Sequence, residues 1–263
     1  MRILVTNDDG INAQGLSVLE EIANQLSDDV WVVAPETNQS GAAHSLTINE
    51  PLRCREVSDG KFAVRGTPAD CVIMAVRHIL ADEPPQLVLS GVNHGANLAE
   101  DVTYSGTVAG AMEGAMLGIT SIAMSLTCGF DRDGKIHWDT PRRHGAEIVE
   151  SLLSHKLPPD VLININYPDL AADEIAGIAI TTQGRRDQSL LHIDRRLDPW
   201  NREYYWFGFE RRLFTPPEGS DLWAIANGFI SVTPLHADLT HASSHAALSV
   251  AYADGINLKR KQG

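Results

Sequence analysis

Five short apolar runs govern what this chain can fold into: "RILVT" (2–6), "VWVVAP" (30–35), "QLVLSG" (86–91), "SIAMSL" (121–126) and "VLININYP" (161–168). Each has strand length and is mostly apolar, the pattern of a strand buried on both faces. Helical spacing fills the gaps between them. In "LSVLEEIANQL" (16–26), Leu16, Leu19, Ala23 and Leu26 fall on one face. "TPADCVIMAVRHIL" (67–80) opens with Thr67 as an N-cap and Pro68 at the first helical position. "SGTVAGAMEGAMLG" (105–118) is a small-residue helix able to pack closely on a sheet, and "RRHGAEIVESLLSH" (142–155) is a further helix. Buried strands alternating with helices predict an α/β fold with a parallel sheet covered on both faces. The chain's 263 residues suffice for one large domain or a domain with an appendage.

The pattern changes after about residue 170. "AGIAITTQGRR" (176–186) reads as a strand, 187–203 as a polar connector, "YYWFGF" (204–209) as a lone aromatic strand and "GFISVTPL" (228–235) as another strand. "HASSHAALSVAYADGI" (241–256) is helical for part of its length. A charged connector and an aromatic strand with no layer partner predict a projecting hairpin of the kind that packs on another subunit.

In a doubly wound sheet, ligands bind beyond the carboxyl ends of the strands. The loop after the first strand carries Asn7, Asp8, Asp9 and Gly10; the next carries Asn38, Gln39, Ser40 and Gly41; the third carries Ser90, Gly91, Asn93, Gly95 and Asn97. Adjacent side chains on a strand point to opposite faces, so Asp8 and Asp9 converge only if the chain turns, which Gly10 permits. Two convergent carboxylates repel unless a cation or proton sits between them. With Ser40 and Asn93 they form an all-oxygen set suited to a hard divalent ion such as Mg²⁺ or Mn²⁺. A simple turn leading into a helix cap would also account for Asn-Asp-Asp-Gly, and the two matching loops favour the metal. Such an ion suggests phosphate chemistry. Ser105, Gly106 and Thr107, at a predicted helix N-terminus, offer free N–H groups and a favourable dipole to an anion. No Walker A or GxGxxG pattern is present.

The net charge of −13 opposes a nucleic-acid polymer as partner. Cys54, Cys71 and Cys128 are scattered and lack CxxC spacing, the usage of a reduced cytoplasmic protein. Residues 1–20 show no signal-peptide pattern, and no run approaches the roughly 18 apolar residues of a membrane span. A soluble cytoplasmic protein is expected.

"ILVTNDDG", "VVAPETNQSGAAHSLT", "GTPADCV", "SGVNHGANLAEDVTYSGTVAGAMEG" and "SVTPLHADLT" occur in order along the chain. With these motifs the sequence resembles the SurE family, the stationary-phase survival protein E nucleotidases, from residue 1 to about 240. The resemblance implies metal-dependent hydrolysis of nucleoside 5′- and 3′-monophosphates, with short-chain polyphosphate as a further substrate. It implies a Rossmann-like three-layer core with a protruding C-terminal arm exchanged between subunits in a homodimer or tetramer. On this reading residues 1–180 are the catalytic core, and 181–263 the arm with a returning strand and helix. One divalent ion per subunit would be held by Asp8, Asp9, Ser40 and Asn93, and phosphate by Ser105, Gly106 and Thr107, with Asn38 and Asn97 nearby. Asp8 and Asp9 would be the catalytic pair. "DPWNREYYWFG" (198–208) resembles the family's arm but places Asn201-Arg202-Glu203 where a Gly- or Pro-containing turn is expected. His44 and His94 lie in the motif loops and could protonate a leaving oxygen. Glu100 and Asp101 are candidates for a second metal, though a solvated face suits them better. The alternative to an enzyme is a non-catalytic phosphate- or nucleotide-binding signalling module.

Overall fold

A computed structural model describes residues 1–128, 136–186, 191–209 and 215–253. Among the described residues, eleven strands and six α-helices run in chain order. The strands are β1 (Ile3–Thr6), β2 (Val30–Pro35), β3 (Arg53–Ser58), β4 (Lys61–Arg65), β5 (Leu87–His94), β6 (Thr120–Leu126), β7 (Val161–Tyr167), β8 (Gly177–Ile180), β9 (Leu191–Leu197), β10 (Glu203–Phe209) and β11 (Phe229–His236). The helices are α1 (Gln14–Leu26), α2 (Pro68–Met74), α3 (Gly106–Met116), α4 (Asp139–Leu153), α5 (Asp221–Ala226) and α6 (Ala242–Ala251). Nine strands form one sheet in the order β3-β4-β2-β1-β5-β6-β7-β11-β8, and β9 and β10 form a separate two-stranded ribbon.

From β4 to β7 every neighbouring pair is parallel. β3 is antiparallel to β4, with a register shift between Glu56 and Ser58. β11 runs antiparallel to β7 and parallel to β8, lying between them. Alternation along each strand divides the core. Ile3, Val5, Leu87, Leu89, Ile122, Met124, Ile163 and Ile165 pack with Leu16, Leu19 and Ile22 of α1 and with Ile148 and Val149 of α4. The intervening residues face the other way: Leu4, Val33 and Val88 meet Cys71, Val72 and Ala75, and Ala123 and Leu162 meet Val108 and Ala111 of α3. The result is the expected three-layer α/β arrangement with a mainly parallel sheet. Among the described residues, no helix is long and apolar enough to cross a membrane.

Thr67 and Asp70 form a capping box at α2: the Thr67 hydroxyl accepts from Asp70 N at 3.2 Å, and Asp70 Oδ2 accepts from Thr67 N at 2.8 Å. The helix predicted over 67–80 changes to a π-helical turn at Ala75–Ile79. The aromatic strand is not alone. It pairs antiparallel with β9, so the polar connector is itself a strand over 191–197. The unexpected Asn201 supplies the turn with φ of 58°, a left-handed conformation that asparagine tolerates. Asp198 Oδ1 closes the same turn by accepting from Trp200 N and Arg202 N, each at 2.8 Å. Residues 187–190 of the predicted connector and 254–256 of the predicted last helix lie outside the described residues.

Candidate active site

β1 lies between β2 and β5, so the three motif loops leave adjacent strand ends. The Asn7 side chain shapes the first loop: its Nδ2 donates to Gly10 O at 3.0 Å, and its Oδ1 accepts from Gly10 N at 3.2 Å. Gly10 has φ of 102°, which turns the chain immediately after the two acids. Gln39 N donates to Asp8 O at 2.7 Å and docks the loop after β2 on the acid pair. That loop is tied down beyond the site as well. Thr47 donates to Asp70 from N (3.0 Å) and Oγ1 (2.6 Å), and His44 Nε2 lies 2.8 Å from Glu113 Oε2 on α3.

Asp8 is buried against the start of α3. Thr107 Oγ1 donates to its Oδ1 at 2.5 Å. A Cβ on Gly106 would stand 2.8 Å from Asp8 Cβ and 3.0 Å from its Oδ2, so only glycine lets the helix approach this closely. Asp9 is half-buried and faces the other two loops: its Oδ2 accepts from His94 N at 3.0 Å, and its Oδ1 lies 3.4 Å from Asn38 Nδ2. Asn38 Oδ1 in turn accepts from Ser40 N at 2.8 Å. Asn93 Nδ2 donates to Gly95 O at 2.8 Å.

The structure therefore brings Asp8, Asp9, Asn38, Gly106 and Thr107 together directly, with Ser40 and Asn93 one residue or one hydrogen bond away. Ser105 serves the helix itself: its Oγ accepts from Val108 N at 3.0 Å as the N-cap. Asn97 is buried, and its Nδ2 donates to Ser125 Oγ at 2.8 Å. Glu100 and Asp101 engage Arg186: Glu100 accepts from Arg186 N at 3.0 Å, and Asp101 pairs with the guanidinium at 2.7 Å.

Burial raises the Asp8 carboxyl from its ordinary 3.8 to about 6; the Thr107 bond opposes that rise, and the Asp9 charge adds to it. Burial raises Asp9 too, opposed by the His94 N–H. Among the described residues neither acid pairs with a lysine or arginine, and no cluster of three His, Cys, Asp or Glu side chains could hold a metal. Two adjacent acids with no cationic partner among the described residues, and no His or Cys beside them in a three-ligand cluster, suit a hard cation that completes its shell with water better than a zinc-type centre.

Sequence reasoning passed over Asn164 and Asn166, both fully buried on β7. Asn166 Oδ1 accepts from Asn97 N at 2.8 Å, and Asn166 and Asn164 both donate to Asn97 O, at 3.1 and 2.9 Å. The signal was present: two asparagines two residues apart on a buried strand point to the same face and require polar partners.

A family model described as "Survival protein SurE" matches residues 3–190. The chain is 55% identical over 261 residues to "5′-nucleotidase SurE" of Parvibaculum lavamentivorans, covering 99% of this chain and 94% of that protein. It is 56% identical over 254 residues to the protein of the same name from Methylobacterium radiotolerans, covering 97% and 100%. The crystal structure of the SurE protein from Aquifex aeolicus superposes with a TM-score of 0.83 at 42% identity, covering 95% of this chain and 99% of that one.

Proposed function

The chain belongs to the SurE family, and on that premise we propose that it is a 5′-nucleotidase that hydrolyses nucleoside monophosphates to nucleoside and phosphate. The observation that carries the reading is the Asp8–Asp9 pair set against the N-terminus of α3, an acid pair suited to a cation beside a helix end suited to an anion. We assign Asp8, Asp9, Ser40 and Asn93 as ligands of one Mg²⁺ or Mn²⁺ per subunit. Bound there, the ion supplies Lewis acidity toward a phosphoryl oxygen and water.

The chain's own groups do the rest. The Gly106 N–H and the α3 dipole receive the phosphoryl oxygens. The Thr107 hydroxyl holds Asp8 in place, and Asn38 holds the loop of Ser40 against Asp9. Asn97 acts in phosphate binding by fixing the loop that leads to α3. Water attacks phosphorus in line, and His44 and His94 are the loop imidazoles able to protonate the leaving oxygen. The substrate range includes 3′-monophosphates and short polyphosphate.

We further propose a homodimer or tetramer formed through the arm, supported by the exposed Trp206 and Phe207 of β10. Residues 1–180 act as catalytic core and 181–263 as arm and returning element of the same domain, which the insertion of β11 between β7 and β8 supports. Three free cysteines suit a cytoplasmic setting.

The test is phosphate release from a panel of 5′- and 3′-mononucleotides after EDTA, and again with Mg²⁺ or Mn²⁺ restored. Activity that returns with metal supports the assignment. No release with any substrate or metal would favour a binding module on the same scaffold.

A further inference from the structure

Asp221 is the first residue of α5 and is fully buried. Capping does not account for it, because the Ser220 hydroxyl already accepts from Trp223 N at 3.2 Å. One oxygen of Asp221 serves its neighbour and a segment 37 residues away: Oδ1 accepts from Leu222 N at 2.7 Å and from Gly184 N at 2.9 Å. The other reaches a residue 122 positions away, where Oδ2 accepts from Ala99 N at 2.8 Å.

Ala99 has φ of 52°, a left-handed conformation that a residue with a Cβ adopts only when its surroundings hold it there. Its carbonyl is held as well, by Gln183 Nε2 at 2.8 Å. Two residues earlier, Asn166 and Asn164 grip both peptide groups of Asn97. The chain then makes one 3₁₀ turn, Ala99–Thr103, and enters α3 at Ser105. The start of α3 is thus placed by groups that come from β7, from residue 183 and from α5.

From this geometry we infer that Asp221 is a positioning residue for the phosphate cradle. It acts through Ala99 to hold the N-terminus of α3 in register with Asp8, and it touches no substrate. The inference rests on the nucleotidase reading for its kinetic consequence, though not for the clamp itself. Residue 221 lies outside the 3–190 matched by the family model. A displacement of reacting groups by about 1 Å costs on the order of 10²-fold in rate.

The experiment compares wild type, Asp221→Asn and Ile230→Val, the last a buried β11 control. It reads steady-state AMP hydrolysis with Mn²⁺ and amide hydrogen exchange. Asp221→Asn turns an NH₂ toward a backbone N–H that needs an acceptor. The expected result is a kcat lowered roughly 30-fold with KM changed less than about 3-fold, and faster exchange across 98–108. Ile230→Val lowers Tm while leaving kcat and that exchange unchanged. Unchanged kcat in Asp221→Asn well below its Tm, or faster exchange confined to 221–226, overturns the inference. If wild type hydrolyses no mononucleotide, the nucleotidase reading fails, while exchange at 98–108 still decides the clamp. If Asp221→Asn does not fold, Gln183→Ala removes the bond to the Ala99 carbonyl from the same side. It is expected to lower kcat about 5-fold with the same exchange pattern, and an unchanged kcat and pattern overturn the inference.

Discussion

The mouth of the sheet and the β9–β10 ribbon break the rule of apolar inside and polar outside in opposite directions. At the mouth, polar groups are buried: Thr107 is 0% exposed and Asp8 3%. On the ribbon, apolar groups are wet: Phe207 is 76% exposed, Trp206 60% and Ile193 64%. Trp206 and Phe207 are adjacent on a strand, so both faces of the ribbon carry exposed rings. A two-stranded ribbon cannot form a core of its own. Each departure matches one of the proposed partners. The proposed cation would answer the buried carboxylates, and the proposed contact with a second subunit would answer the two-faced apolar ribbon.

The largest effect should come from removing one acid of the mouth. Asp9→Asn is expected to lower metal-supported phosphate release by on the order of 10³-fold while the fold survives, as checked by steady-state assay and circular dichroism. Activity within a few-fold of wild type would end the analogy between mouth and ribbon, because the charge would then have no work to do there. Gly106→Ala comes next. Its Cβ meets Asp8, which can swing only by losing the Thr107 bond, and a loss of about 10²-fold in kcat/KM is expected.

The third effect is on stability. The folded chain holds the Asp8 proton more tightly than the unfolded chain does, so metal-free stability falls as pH rises from 3.8 to about 6 and stays low above that. The span amounts to about 3 kcal/mol at most. Thermal unfolding after EDTA should therefore show a higher Tm at pH 5 than at pH 7, with other titrations matched by Asp8→Asn. Added Mn²⁺ should abolish the difference. A flat profile would mean that burial of the acid carries no strain for the metal to relieve.

The smallest effect on the single subunit belongs to the ribbon. Trp206→Asp combined with Phe207→Ser should change kcat by less than about 2-fold and subunit stability by roughly 0.5 kcal/mol or less, since these rings are exposed. Light scattering should nevertheless report a smaller assembly. An unchanged mass would refute the oligomeric role.

Most of the sheet was legible because buried parallel strands are written as apolar runs. "VWVVAP" coincides with β2 end for end. The loops were legible because glycine and oxygen-bearing side chains cluster where such strands stop. What escaped notice lacked those signals. β3 is exposed along its whole length, so its charged sequence shows no apolar run and no buried face. β9, "LHIDRRL", is too charged to resemble its aromatic partner. α5 spans 6 residues, too few for a helical period to appear. At the site, Asp8 and Asp9 could be found from local sequence because Gly10 marks a turn immediately after them. Asn164 and Asn166 announced a need for polar partners, but which residues they and Asp221 grip could not be read, because those partners lie 67 to 122 residues away.

The place of β11 also imposes an order on synthesis. β8 leaves the ribosome before the ribbon, yet its partner in the sheet is β11, which begins at Phe229. At synthesis rates of about 5–20 residues per second the interval is roughly 2–10 s. Throughout it β8, which ends the sheet, is unpaired on both edges, and Ile178 and Ile180, exposed even in the finished fold, project from it. The nascent chain must therefore carry an unpaired apolar strand past the emergence of a second sticky element, the aromatic ribbon. Slower translation between residues 181 and 229 would lengthen that exposure, and conditions that crowd nascent chains together would be felt there first.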